Sequence, residues 1–141
     1  MFKSLKQFID LRLGKLIVLE DFYSEYGHFL KIHSRNLLNL AFFLKNDPDT
    51  RLVLLEQILA IPQRLVPWPK QETLNLEGLQ IIYQLSSIKL PYQINVCIDY
   101  EEGSIIPSLR PIFQGAVWLE NDIANTHQVQ FEMNVKDNSR A

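Results

Sequence analysis

The chain reads as an α+β domain, a mostly antiparallel sheet with helices packed on one face. Three observations predict it. Leu79, Ile81, Tyr83 and Leu85 fall on one face of an extended segment, and Tyr92, Ile94, Val96 and Ile98 do the same in a second. That period of two marks half-buried, antiparallel strands. Leu37, Leu40, Ala41 and Leu44 recur instead at helical spacing. Taken along the chain, the elements run helix, two strands, helix, strands, helices, strand, an order that suits helices laid on a sheet.

Phe2, Leu5, Phe8 and Ile9 predict a short amphipathic helix over residues 3–11, with Gly14 past its end. The apolar, partly β-branched run at residues 16–19 predicts a first strand, and Gly27 opens a second containing Phe29 and Ile32. Ser34 is placed to cap the next helix. Leu38, Phe42 and Phe43 widen its apolar stripe, so it is buried on more than one side or faces a partner. The prior that apolar residues go inside favours core. Asn46-Asp47-Pro48 stops it. Asp49 or Thr50 then caps a short helix through Leu55, and residues 58–61 read equally as a helix end or a strand. Residues 62–78, with Pro62, Pro67, Trp68, Pro69 and Gly78, read as loop. The connection from Ser86 to Pro91 is too long for a two-residue hairpin turn. Ser108 caps a helix with proline in its first turn, Gly115 breaks it, and Ala116, Leu119 and Ile123 share a face of another. Val129, Phe131 and Met133 alternate as a last strand, and the tail from Lys136 is polar.

With 141 residues, 47% of them hydrophobic, one domain is expected over residues 1–135, followed by a polar tail at 136–141. A net charge of -2 argues against a nucleic-acid footprint. A single cysteine, Cys97, excludes an internal disulfide and a Cys-rich metal centre. The first residues lack the apolar core and cleavage site of a signal peptide. No uncharged run approaches the roughly 20 residues of a membrane span. A reduced, cytoplasmic protein is expected.

No constellation of residues points to catalysis. His28 and His33 are five apart on an extended segment and face opposite sides, so with His127 they read as surface or strand-edge residues, not metal ligands. Glu120 and Asp122 are two apart on a helix and diverge by about 200°, which precludes an acid/base dyad. One reads as a solvated acid, the other as an interfacial or capping acid. Asp99, Glu101 and Glu102 form a solvated acidic loop without EF-hand spacing. Cys97 has no local base or helix N-terminus to activate it and reads as a half-buried small side chain, although an enzyme using Cys97 or His127 stands as a rival. Trp68 between two prolines is a docking anchor or a self-pinned loop. Trp118 is expected in the core.

Pro107-Ser108, Ile112-Phe113, Ala116, Trp118-Leu119-Glu120, Asp122-Ile123, and then Val129 and Phe131, resemble the 30-kDa subunit family of respiratory complex I. That family reads proline-serine, an aliphatic-aromatic pair, then alanine-asparagine-tryptophan-leucine-glutamate-arginine-glutamate, followed by an acidic residue, glycine and phenylalanine. Phe43-Leu44-Lys45-Asn46-Asp47-Pro48 is similar to the end of its helix, and Tyr83 with Leu85 to its tyrosine-leucine strand. The likeness covers residues 30–132. Asn121 stands where the family has arginine, Asp122 replaces glutamate, Asn125 an acid, and His127-Gln128 phenylalanine-glycine. Gln57 and Pro62 fall where two aspartates align. The sequence also runs only briefly past Phe131, without the family's histidine and basic extension.

The resemblance implies a non-catalytic structural or assembly subunit with no cofactor and no metal. Such a protein braces the larger hydrogenase-like member of a complex-I-like NADH:quinone oxidoreductase, or of a membrane-bound hydrogenase electron-transfer complex. It would be cytoplasmic and peripheral to the inner membrane through its partners. Trp118, Glu120, Asn121 and Asp122 are the expected interface, Trp118 shaping the helix that presents the others. The alternative is a stand-alone interaction or self-assembly domain, such as a homo-oligomer, that kept the fold and lost the complex.

Overall fold

Sheet pairing follows directly from the alternation of apolar residues. The computed structural model describes residues 5–66, 78–88 and 91–132. The expectations for Trp68 and its flanking prolines, for Met133 and for the polar tail lie outside the described residues. Helix α1 (Leu5–Arg12) is followed by the hairpin β1 (Val18–Ser24) and β2 (Gly27–Ile32), then by helix α2 (Leu37–Asn46). Strands β3 (Leu54–Pro62), β4 (Leu79–Ser86) and β5 (Gln93–Tyr100) come next, then the two-residue β6 (Ile105–Ile106), helix α3 (Ala116–His127) and β7 (Gln130–Phe131). The five long strands form one sheet in the order β1-β2-β5-β4-β3, with β6 and β7 as a separate parallel pair.

Every neighbouring pair in the large sheet is antiparallel except β2 with β5, where Leu30 lies opposite Val96. Because β5–β4 and β4–β3 are both antiparallel, β3 runs parallel to β2. The segment carrying α2 is therefore a crossover that spans the two central strands. The predicted faces are observed: Ile81 pairs with Ile98, Tyr83 with Val96 and Leu85 with Ile94. These residues, with Leu30 and Ile32, form the floor of the main core. Leu5 and Ile9 of α1, Leu37, Leu40, Ala41 and Leu44 of α2, and Ala116 and Ile123 of α3 cover it. All three helices pack on this face. A smaller cluster of Phe29, Val66, Ile82 and Cys97 occupies the other face, where Phe22 stacks on Phe29 with centroids 5.3 Å apart.

Five local expectations are corrected or settled. The first strand begins at Val18, not Leu16, and runs on to Ser24; Leu16 has a φ of 71° and cannot continue an extended strand. No helix follows Asp49. Asp47 Oδ2 accepts from the Asp49 amide, and Thr50 Oγ1 donates to the Leu44 carbonyl (2.7 Å), as does the Leu52 amide (2.9 Å). These residues close the C-terminus of α2, satisfying carbonyls that a helix end otherwise leaves unpaired. Residues 54–62 are wholly strand. Residues 108–114 form turns rather than a helix, the Leu109 carbonyl accepting from both Ile112 and Phe113. The amides of Leu109 and Arg110 are held by side chains, those of Glu120 and Ser108. Finally, the last strand among the described residues is only Gln130–Phe131, tied by the Gln130 amide to Tyr100 Oη.

Candidate functional site: the outer face of helix α3

The segment from β6 to β7 is built around one buried carboxylate. Glu120 has 0% of its surface exposed. Its Oε1 accepts from Ser108 Oγ and its Oε2 from the Leu109 amide, both at 2.7 Å. Arg110 Nε lies 3.3 Å from Oε1. Burial pushes the carboxyl up, and the bonds from Leu109 and Ser108 with the charge of Arg110 only partly offset it, so it stays above the usual glutamate value. Glu120 therefore clamps the Pro107–Arg110 turn onto α3 from inside. Any effect it has on another chain runs through the groups it holds.

With Ala116, Glu120 and Ile123 turned inward, the opposite face of α3 is set by helical geometry. Trp118 lies on it and is 77% exposed, which corrects its expected place in the core. Counting only apolar residues as inward-facing misplaced it, because the inward stripe of this helix includes an acid. Asn121 and Asp122 are also exposed and stand three and four residues from Trp118, on its side of the helix. Asn121 Oδ1 accepts from Arg110 Nη2 at 3.0 Å. A guanidinium thus stands beside the position where the family pattern carries arginine. Arg110 was not singled out from the sequence, since nothing local links it to a residue eleven positions away.

The N-terminal end of α3 borders a groove of about 430 Å³ lined by Leu54, Ile112, Phe113 and Gly115. Lys45 closes one side, its Nζ donating to the Ile112 carbonyl (2.6 Å) and lying 5.4 Å from the Phe113 ring centroid. This contact joins the end of α2 to the turn before α3.

The other candidates resolve into structural roles. His28 is buried, not at the surface: its Nε2 lies 2.5 Å from Asp21 Oδ1 and Tyr23 stacks on its ring. Asp21 Oδ2 also accepts from the Lys6 amide, satisfying a donor in the first turn of α1. His33 and His127 are exposed. Among the described residues no three His, Cys, Asp or Glu side chains are grouped as metal ligands would be. Asp99 is not a free loop acid, since its Oδ1 accepts from Lys31 Nζ (2.7 Å), Gln80 Nε2 (2.7 Å) and Gln63 Nε2 (2.8 Å). Burial raises its carboxyl, but the bond and charge of Lys31, with the two amides, outweigh burial and hold it below its ordinary value. Cys97 is fully, not half, buried, and burial pushes its thiol up to about 12, far from a neutral-pH nucleophile.

Fold and site together define an α+β domain that presents an aromatic and polar helix face beside an internally clamped turn. Residues 30–140 match the family model described as the respiratory-chain NADH dehydrogenase 30 Kd subunit. The chain belongs to that family. It is 28% identical over 129 residues to the family's NADH-quinone oxidoreductase protein from Brucella ovis, covering 91% of this chain and 58% of that protein. It is 25% identical over 130 residues to the same NADH-quinone oxidoreductase component of Agrobacterium fabrum, covering 92% and 60%. The chain thus spans less than two thirds of these relatives. Its fold is similar to a chain of an archaeal respiratory membrane complex, the membrane-bound sulfane sulfur reductase (TM-score 0.64, 19% identity, 96% of this chain and 72% of that one). It is also similar to the trypsin-resistant 1–134 fragment of Nqo5 (TM-score 0.55, 16% identity, 77% and 81%). Among the described residues no helix is long and apolar enough to cross a membrane.

Proposed function

We propose that this chain is a non-catalytic subunit of a complex-I-like, membrane-associated electron-transfer complex. In this reading it docks through the outer face of α3 onto the large hydrogenase-like subunit and braces it. The observation that carries the reading is Trp118, a large indole 77% exposed on a helix whose inward face is complete without it. Tryptophan and arginine are enriched among residues that dominate binding energy. Asn121 and Asp122 supply polar contacts on the same face, and Glu120 fixes the helix relative to the turn that carries Arg110. Family membership and the names of its relatives make a respiratory complex the natural setting. The protein would lie on the cytoplasmic side of the membrane, held there by its partners.

The test is gentle affinity purification of the full chain from its native host, membranes included, with mass spectrometry of what it retains. Recovery of a hydrogenase-like large subunit with iron-sulfur partners supports the proposal. Recovery of the chain alone, or only with copies of itself, removes it. That result would favour a stand-alone self-assembling domain, for which Leu11, Phe42 and Ile88 supply further exposed apolar surface.

A further inference from the structure

Arginine side chains that reach the surface normally sample many rotamers and lose entropy when held, and Arg110 is half-buried, with 29% of its side chain exposed. Arg110 is held. Its Nη2 donates to Asn121 Oδ1 at 3.0 Å, and its Nε sits 3.3 Å from Glu120 Oε1 without a hydrogen bond to it. Glu120 has already filled both carboxylate oxygens with donors from Ser108 and Leu109. The remaining nitrogen, Nη1, has no hydrogen-bond partner among the described residues. A guanidinium carries five donors in a rigid plane, and its preferred complement is a carboxylate. Here one edge is fixed by the protein, the side chain keeps 29% of its surface exposed, and Asn121, which holds it, stands three residues from the exposed Trp118 on α3.

We propose that Arg110 is the charged anchor of the α3 face and receives an aspartate or glutamate side chain of the docking partner at Nη1. The inference rests on the docking reading above. Asp122, exposed on the same helix face, repels a carboxylate approaching from its side. The acid must therefore enter from the 110 side, which sets the register of the partner against Trp118. Asn121 is a positioning residue: its carbonyl orients the guanidinium, and the contact with the partner is made by Arg110.

The test compares tagged full-length chain carrying R110Q, R110K or W118A with the unsubstituted chain, each recovered from the native host. The large subunit is quantified by mass spectrometry, and thermal unfolding confirms that each variant is folded. The complex formed by R110K is also treated with a carbodiimide, which joins an amine to an adjacent carboxylate without a spacer. The proposal expects R110Q to lower recovery by about tenfold or more, a loss of the size seen for desolvated charge pairs. It also expects the R110K amine to link to an acid of the large subunit. If W118A lowers recovery and R110Q does not, this inference falls while the docking reading stands. If neither substitution lowers it, both fall. If R110Q lowers recovery but the R110K amine links only to Glu120 or Asp122 of its own chain, the inference is again overturned, because residue 110 then acts only within its own chain.

Discussion

Glu120 is the residue on which the geometry of α3 depends. Removing its carboxylate leaves the Leu109 amide buried without an acceptor and Ser108 Oγ without its partner. Glu120→Ala is expected to destabilise the fold by about 3 kcal/mol, and Glu120→Gln, which keeps one acceptor, by about 1 kcal/mol. Chemical denaturation of the two variants measures both, and equal losses would show that the hydrogen bonds do not matter. The pH dependence has a definite sign. Burial holds the folded carboxyl above its ordinary 4.5, so between 4.5 and the raised value the folded state binds more protons than the unfolded one. The stability linked to this group is fully present below 4.5 and is lost as pH rises through the folded value. Relative to Glu120→Gln, the unsubstituted chain should therefore lose stability between acidic and neutral pH. Asp99 works in the opposite direction. Its carboxyl is held below the ordinary 3.8, so its contribution is present above 3.8 and is lost as pH falls through the lowered value. Lys31→Met removes the chief counterweight to burial and should weaken this acid-range loss. Denaturation midpoints measured from acidic to neutral pH test both slopes, and slopes unaltered by the substitutions would refute the assignments.

Among the elements, the central strands are the most legible part of the chain. The period-two pattern of β4 and β5 placed Ile81, Tyr83, Ile94 and Val96 on the core face, where they are found. The apolar stripe Leu37, Leu40, Ala41 and Leu44 likewise marked the buried side of α2. What could not be read depends on contacts between distant residues. The turn at 108–114 departs from a helix while Glu120, eleven residues on, holds the Leu109 amide. Thr50 caps backward onto Leu44 rather than forward into a new helix. His28 is buried with Asp21 across a hairpin, a pairing that single-strand spacing does not reveal. Trp118 is exposed because an acid holds its helix's inward position, contrary to the usual prior for apolar residues. Two substitutions test the sheet. Gly27 has a φ of 129°, and an added Cβ would sit 3.0 Å from Asn95 Nδ2, which itself donates to the His28 carbonyl. Gly27→Ala should destabilise the hairpin by about 2 kcal/mol, read as a lowered Tm, and an unchanged Tm would contradict the strain. Cys97 lies on the second face of β5, sealed by Phe29, Val66 and Ile82. Its alkylation by iodoacetamide at neutral pH should be slow in the folded chain and rise to an ordinary thiol rate in denaturant. Rapid, saturable labelling of the native protein would instead revive an enzymatic role for this cysteine.

At the scale of the whole molecule, the layer of helices separates two tasks. Its inner side stabilises the sheet through one continuous core, and its outer side places Leu11, Phe42 and Trp118 in solvent, one on each helix. The two tasks respond differently to substitution. Trp118→Ala removes a side chain that contributes little to the core, so the folding free energy should change by no more than about 0.5 kcal/mol. Ile123→Ala, which empties a buried site, should cost about 3 kcal/mol. Docking is visible in the same indole without any recovery step. In a Trp68→Phe background Trp118 is the only tryptophan of the chain. Free in solution, its fluorescence should be quenched efficiently by acrylamide, because most of the ring meets water. Burial of that ring against a large subunit lacking tryptophan, or one in which Trp118 is selectively labelled, should lower the quenching constant severalfold and move the emission to shorter wavelength. An assembled complex in which Trp118 is quenched as readily as in the free chain would mean that α3 faces solvent there and that the protein is held by another surface.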